Sequence, residues 1–353
     1  MTEDLDKESD EKLGERRGRG PVSLWTGRFF GVVAVVLLLL TLLGYLGETA
    51  WWLDVLNQGR MQYLWFSLIL AILLLAARAW GWLSVALVAA AINAWFVVPW
   101  LLESPATPPG NDGRHLRLMV LNVRESNEQF EPILELLRRV RPDLVVLNEV
   151  DPEWLAQIRN LNTGYEIFDT PAQGKFGTLL MSRHPIKSVE IETFTGRWSP
   201  SIVARFDVDG QPTVLVATHP PAPLDSKTWE NRNEHLQELA RYVDELTDPV
   251  LVAGDLNTTM WSPYFDDLLE QTTLYETRRS YGIHPTFPAS RWGLDLPWPL
   301  QVPLDHVLAS EEWAVLGCKN GPNVGSDHLP LIVDVELRTP SQPVDAAGRA
   351  DQQ

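Results

Sequence analysis

Polar residues stand where runs of apolar, β-branched residues stop. Asn122 closes LRLMVLN, Glu149 follows DLVVLN, His219 follows TVLVAT, and Asp255 with Asn257 follows VLVAG. Asp305 and His306 lie within LDHVLAS, and Ser326, Asp327 and His328 immediately precede the run LPLIVDVEL. Strand ends and the loops beyond them are where a rigid sheet can aim side chains at one point. A carboxylate such as Glu149 and the amide oxygen of Asn122 are hard donors suited to Mg²⁺ or Mn²⁺, which leave positions open for water and a substrate phosphate. His219 and His328 can hydrogen-bond a phosphoryl oxygen, and a carboxylate at the far nitrogen of a histidine fixes its tautomer. Phosphoester hydrolysis needs such parts: an ion to offset developing charge, an activated water, and donors around the phosphoryl group.

Each residue also has a structural explanation. GDLN reads as a strand and a turn capped by its own Asp and Asn. His219, before Pro220 and Pro221, reads as a satisfied loop histidine, Asp327 as an N-terminal cap, and Glu149 as the first polar residue past a buried strand. Their joint occurrence in this order favours the chemical reading, because independent accidents do not supply one metal-and-phosphate kit. The ordered set LNVRESN, LNEV, GTLLMSRHPI, ATHPP, GDLN, LDHVL and GSDHLPL resembles the endonuclease/exonuclease/phosphatase superfamily across 115–337. Its membrane-anchored branch associated with glycopeptide-antibiotic resistance is similar in layout. The resemblance implies that Asn122 and Glu149 bind the metal with Asp327 near the same ion. It implies that Asp255 orients or deprotonates the attacking water, Asn257 holds the scissile phosphate and His219 contacts a phosphate oxygen. His328 would stabilise charge or act as general acid or base, oriented by Asp305, and Asn127 would be a second asparagine of the first motif. Two departures stand out: before the third motif only Lys175 and Phe176 are offered as substrate contacts, and the basic DNA-contacting loops of the nuclease branch are missing.

Elements that could position these residues follow from the hydrophobic pattern. Eight strand-like runs, with helical periodicity around 128–140, 152–160 and 228–246, predict an α/β fold of two packed β-sheets flanked by helices, a four-layer sandwich. Ahead of it, three long uncharged runs at 25–46, 61–77 and 80–102 predict three transmembrane helices. Eight of the 15 tryptophans lie between Trp25 and Trp100, several at the ends of these runs, as in an interfacial aromatic belt. Arg16, Arg17, Arg19 and Arg28 flank the first run and Arg78 sits in the second turn, whereas 47–60 carries Glu48 and Asp54. The positive-inside tendency then puts the N-terminus in the cytoplasm and everything after Leu102 outside the plasma membrane. The expected layout is a disordered cytoplasmic tail (1–24), three spans (25–102), a linker (103–114), a phosphoesterase domain (115–337) and a disordered tail (338–353).

The chain of 353 residues carries a net charge of −17, which argues against a surface built to neutralise nucleic-acid phosphates and suits a divalent cation. Cys318 is the single cysteine, which excludes a disulfide framework and a cysteine-based zinc site. The expected function is a membrane-anchored, Mg²⁺- or Mn²⁺-dependent phosphoesterase acting on a lipid-linked or cell-envelope phosphate. An extracytoplasmic nuclease and a catalytically silent envelope binding protein are the alternatives. Partners would be the lipid bilayer and a phosphorylated lipid-like substrate, nucleic acid coming second. Trp292, Leu294, Leu296, Trp298 and Leu300, within Arg291 to Pro303, would form either an apolar lip that touches lipid chains or ordinary packing.

Overall fold

A computed structural model describes residues 21–102 and 114–338, apart from 162–163, 171–173, 197–198, 280 and 292. Expectations for 1–20, most of the linker, Trp292 and 339–353 fall outside these residues.

Among the described residues the N-terminal module holds α-helices α1 (Pro21–Leu43), α2 (Trp51–Asn57), α3 (Arg60–Ala76), α4 (Trp80–Val97) and α5 (Pro99–Leu102). The first begins four residues before the expected span, since Pro21 is tolerated in a first helical turn. Helices α1 and α4 are long and apolar enough to cross a membrane. The second expected span (61–77) differs: α3 has 17 residues, roughly 26 Å of helix against a hydrocarbon core of about 30 Å. It qualifies only if α2 and α3 count as one span bent by 61°. A buried polar net knits the bundle: Asn93 Nδ2 donates to Thr41 Oγ1 (2.8 Å), and Arg60 donates to Thr41 O (3.0 Å) and Asn57 Oδ1 (2.7 Å).

The following domain has strands β1 (Arg114–Asn122), β2 (Leu144–Asn148), β3 (Glu166–Asp169), β4 (Thr178–Ser182), β5 (Ile186–Glu192), β6 (Ser201–Val208) and β7 (Gln211–Ala217). They continue with β8 (Val250–Asp255), β9 (Tyr275–Glu276), β10 (Ser290–Arg291), β11 (Leu294–Asp295), β12 (Asp305–Ala309), β13 (Trp313–Asn320) and β14 (Leu331–Leu337). Helices α6 (Phe130–Val140), α7 (Pro152–Arg159), α8 (Ser226–Asp244) and α9 (Pro263–Glu270) complete it. Two six-stranded sheets, ordered β13-β14-β1-β2-β4-β3 and β5-β6-β7-β8-β12-β9, pack face to face. The period-2 alternation of strands divides β1 between two cores. Leu116, Leu118 and Val120 face the second sheet, while Met119 and Leu121 lie under α6 and α7. The outer face of the second sheet is covered by α8 and α9, and Met61, Ala90, Val97 and Trp100 of the helical module join that same core.

All eight expected strands are present. The additional ones, such as β5 (IKSVEIE) and β13 (WAVLGCKN), lie at sheet edges where one-sided burial blurs the pattern.

Sheet polarity explains why the polar residues meet. Each sheet holds one parallel pair, β1 with β2 and β7 with β8, so Asn122, Glu149, His219 and Asp255 all fall at carboxyl ends. Strand β12 runs antiparallel to β8, pairing Asp305 with Asp255. Strand β14 runs antiparallel to β1, which brings the loop 326–328 to the same edge.

Candidate active site

At this edge a cleft of about 370 Å³ is lined by Asn122, Glu149, His219, Asp255, Asn257, Asp327 and His328. All of the expected site residues share it except Asp305, which lies buried behind His328. Asn127 is buried beside the cleft, its Nδ2 donating to Val123 O (3.2 Å).

Two carboxylates converge on one amide. Asn122 Nδ2 donates to Glu149 Oε1 (3.1 Å) and Asp255 Oδ2 (3.0 Å), and its Oδ1 accepts from Arg124 N–H (2.9 Å). Glu149 Oε2 accepts from Glu125 N–H (3.1 Å). Glu149 and Asn257 both have left-handed backbone, φ 57° and 50°, a conformation that costs energy outside glycine and gathers at functional sites. The glycine of GDLN is required sterically: a Cβ on Gly254 would lie 1.8 Å from Thr218 O. Asp255 Oδ1 accepts from Asn257 N–H (2.9 Å), and Asn257 Nδ2 donates to Pro220 O (3.0 Å). His219 Nδ1 sits 3.0 Å from Asp255 O, leaving Nε2 to face Glu149 Oε1 at 4.0 Å.

Burial raises the pKa of Asp255, which makes it a better proton acceptor near neutrality. His328 Nδ1 is 2.8 Å from Asp305 Oδ2, and its Nε2 faces Asp255 Oδ2 at 3.7 Å. Burial alone would depress the His328 imidazolium, but the Asp305 and Asp255 carboxylates outweigh it and push the ring up to about 10. Burial would likewise raise Asp305, yet the imidazolium holds it low. Asp255, Asp305 and His328 bring donor atoms within 4.8 Å of one another, a spacing that a cation or a proton can share.

The lining suits a divalent cation. Glu149, Asp255 and Asp327, with Asp305 behind them, put four carboxylates around one small cleft, against which the described lining sets Lys175 and the rings of His219 and His328. Asp327 is the outlying member, 3.7 Å from Arg124 Nε.

Several supports were not visible in the sequence pattern. Asn148 is fully buried, its Oδ1 accepting from Asp255 N–H (2.9 Å) across the two sheets. The one signal for it was an amide inside an otherwise apolar run. Behind β12, His306 Nδ1 meets Glu276 Oε2 (2.5 Å) and its Nε2 meets Thr258 O (3.0 Å). Arg278, also buried, bonds Asp305 O.

His235 stands behind His219, fully buried, with Nε2 2.7 Å from Thr218 Oγ1. Burial lowers its pKa from 6.5 to about 3, so the folded state binds the proton less readily than the unfolded chain. Stability must therefore fall as pH drops below 6.5 and go on falling towards 3, by up to about 1.4 kcal/mol per pH unit from this group. A His235→Gln chain, with nothing to titrate there, should lose less thermal stability between about pH 6.5 and pH 5; an unchanged slope would assign the acid sensitivity elsewhere.

The family model described as Endonuclease/Exonuclease/phosphatase family matches residues 119–328. The chain belongs to this family. Its structural neighbours agree. The endonuclease/exonuclease/phosphatase from Bacteroides vulgatus is 19% identical, with a TM-score of 0.53 over 64% of this chain and 99% of that one. The family member from Beutenbergia cavernae is 25% identical, with a TM-score of 0.51 over 64% and 72%. D. rerio TDP2, complexed with a single-strand DNA product, is 16% identical, with a TM-score of 0.55 over 63% and 99%. No match is found among curated protein sequences. The endonuclease/exonuclease/phosphatase fold thus accounts for the sandwich, and the helical module lies outside the matched range.

Proposed function

We propose that the chain is a divalent-metal-dependent phosphoesterase at an outward-facing membrane surface, acting on a phosphorylated lipid-like substrate such as a polyprenyl pyrophosphate. One observation carries this reading: Val55 and Gln58, from and just after the helix between candidate spans, line the same cleft as Glu149, Asp255 and His328. A substrate reaching the catalytic groups would pass the edge of the membrane module. The segment expected to form an apolar lip supports it. Trp298 stacks edge-on against Trp65 at 6.0 Å, Gln62 Nε2 donates to Pro299 O (3.0 Å) and Gln301 O (2.8 Å), and Leu294, Trp298 and Leu300 remain exposed. Exposed apolar side chains beside candidate spans suit a bilayer surface.

In this reading Glu149 and Asp327, with the amide oxygen of Asn122, would hold Mg²⁺ or Mn²⁺, which would supply a positive charge against the developing phosphoryl charge. Asp255 accepts a proton from the attacking water. His219 Nε2, when the ring is protonated, donates to a phosphoryl oxygen, and Asn257, anchored on Pro220 O, keeps the phosphate in place. His328 presents Nε2–H to the charge that builds on the leaving oxygen, with Asp305 securing the other nitrogen.

The 44–60 connection and the 96–102 end both meet the catalytic domain, through Asp54, Trp261 to Phe96 O, and Arg279 over Trp100, with Arg78 at the opposite turn. This supports three crossings, a cytoplasmic N-terminus and a catalytic domain outside the plasma membrane. A reporter fused after Leu337 should then be active only outside the cytoplasm. For the substrate, the full-length chain in detergent should release phosphate from polyprenyl pyrophosphate with Mg²⁺ and leave plasmid and single-stranded DNA intact. Rapid nicking with no phosphate from lipid would overturn the proposal in favour of the nuclease reading, which the DNA-bound TDP2 neighbour keeps in view.

A further inference from the structure

The catalytic domain receives a buried charge from the membrane module. Asp54, on α2, is 3% exposed, and its carboxylate accepts from Ser262 Oγ (2.7 Å), Trp229 Nε1 (3.2 Å) and the guanidinium of Arg232. Arg232, on α8, is itself fully buried, and its Nη1 donates to the backbone carbonyl of Asn257 (3.2 Å). Ser262 is the N-cap residue of α9, yet its side chain makes no capping bond; it turns to Asp54. Three groups of the catalytic domain are therefore committed to one carboxylate from another module.

We propose that Asp54 is a positioning residue of the active site: through Arg232 it fixes the Asn257 loop, and by anchoring α2 it completes the cleft wall with Val55 and Gln58. The proposal rests on the phosphoesterase reading for its kinetic consequence but not for its structural one. A buried ion pair is a poor device for stability alone, because well-packed apolar groups of the same volume do as well or better, and its attested use is to set a unique register. Here the register is that of α2 against the loop carrying Asp255 and Asn257. Asn257 holds a left-handed backbone that needs outside support, and the guanidinium on its carbonyl provides it. Removing Asp54 leaves Arg232 without its counter-charge, held by Asn233 Oδ1 (2.7 Å) and the Tyr264 ring, so the bond from Nη1 to the Asn257 carbonyl loses its main support.

The test uses the full-length chain in detergent micelles, comparing wild type, Asp54→Ala, Asp54→Asn and Arg232→Lys by hydrogen–deuterium exchange and by turnover of bis(4-nitrophenyl) phosphate. Asp54→Ala should speed exchange in peptides covering 255–262 and leave β1 peptides unchanged. It should lower kcat per folded chain by up to about 100-fold with KM on this small substrate nearly constant. Asp54→Asn can keep one oxygen for Trp229 and Arg232 and turn its NH₂ to Ser262 Oγ as a donor, without the charge, and should fall between. Unchanged exchange at 255–262, or a loss of turnover that only follows the folded fraction measured by near-ultraviolet circular dichroism, overturns the proposal. If Asp54→Ala does not fold, Asp54→Asn and Arg232→Lys decide on the same two readouts. A wild-type chain that is folded yet hydrolyses neither this diester nor lipid phosphate defeats the phosphoesterase reading, while the exchange pattern still decides the role of Asp54.

Discussion

An Asp305→Asn chain is expected to fold and to turn over about 10³- to 10⁴-fold more slowly than wild type, with a much smaller change in KM. The reason lies in what the carboxylate does for His328. Its Oδ2 takes the Nδ1 proton at 2.8 Å, and its charge is the largest influence raising the ring against burial. An asparagine either presents its oxygen, keeping the bond without the charge, or its NH₂ group, which forces the ring proton onto Nε2 and leaves Nδ1 as an acceptor. Both remove the imidazolium that faces the cleft. The fold should tolerate the change because the strand is held independently, by pairing with β8 and by Arg278 on the main-chain oxygen. The Thr286 hydroxyl, which also lies against the Asp305 carboxylate, can hydrogen-bond an asparagine as well. Steady-state kinetics with circular dichroism on the same sample decide it. A folded variant within tenfold of wild type would show that His328 does not work as a charged donor.

The sandwich was legible because its central strands are buried on both faces or alternate cleanly, and because function sits at the ends of the parallel pairs, where apolar runs stop on a polar residue. Asn122, Glu149, His219 and Asp255 could each be found by that rule alone. Asp305 could be found too, though as the first residue of its strand rather than the last. What escaped has a common cause. Asn148, Glu276, Arg278 and Arg232 are polar residues whose partners lie far away in sequence, and each taken singly looks like an ordinary strand, turn or helix-surface residue. Their role follows only from which sheet or helix is laid over them. The edge strands escaped for another reason: one face meets solvent, so IKSVEIE carries charge where a central strand would not.

Asp54 shows the same limit at the level of modules. Between two apolar runs an aspartate in a cation-poor loop reads only as a mark of the outer side of the membrane, with no partner to be seen for its carboxylate. It is buried, because the second module supplies Arg232, Trp229 and Ser262 at one point. The cost of desolvating this carboxylate is met only when the modules are docked, so the sequence of either module alone contains half of the reason for it.

Removing the cation should be as damaging as removing Asp305. Excess chelator is expected to abolish turnover, and added Mg²⁺ or Mn²⁺ to restore it. Glu149→Gln should raise the metal concentration needed for half-maximal rate by about 10- to 100-fold, because Gln keeps the size and one acceptor for Asn122 while losing the charge and the acceptor for Glu125 N–H. The direction is set by the cleft's own electrostatics. Glu149 and Asp255 are both turned towards the Asn122 amide, and Asp327 and Asp305 add to the same sign of charge, so a dication relieves repulsion that the protein alone does not. Losing one carboxylate weakens the grip on the ion but also lessens that repulsion. Glu149→Gln should accordingly leave thermal stability in chelator equal to or above that of wild type, while the stabilisation produced by added metal shrinks. Metal-titrated melting curves read both effects without any substrate. Turnover that persists undiminished in chelator, or a melting temperature that ignores Mg²⁺ and Mn²⁺ in the wild-type chain, would remove the ion from the site and with it the metal-dependent mechanism.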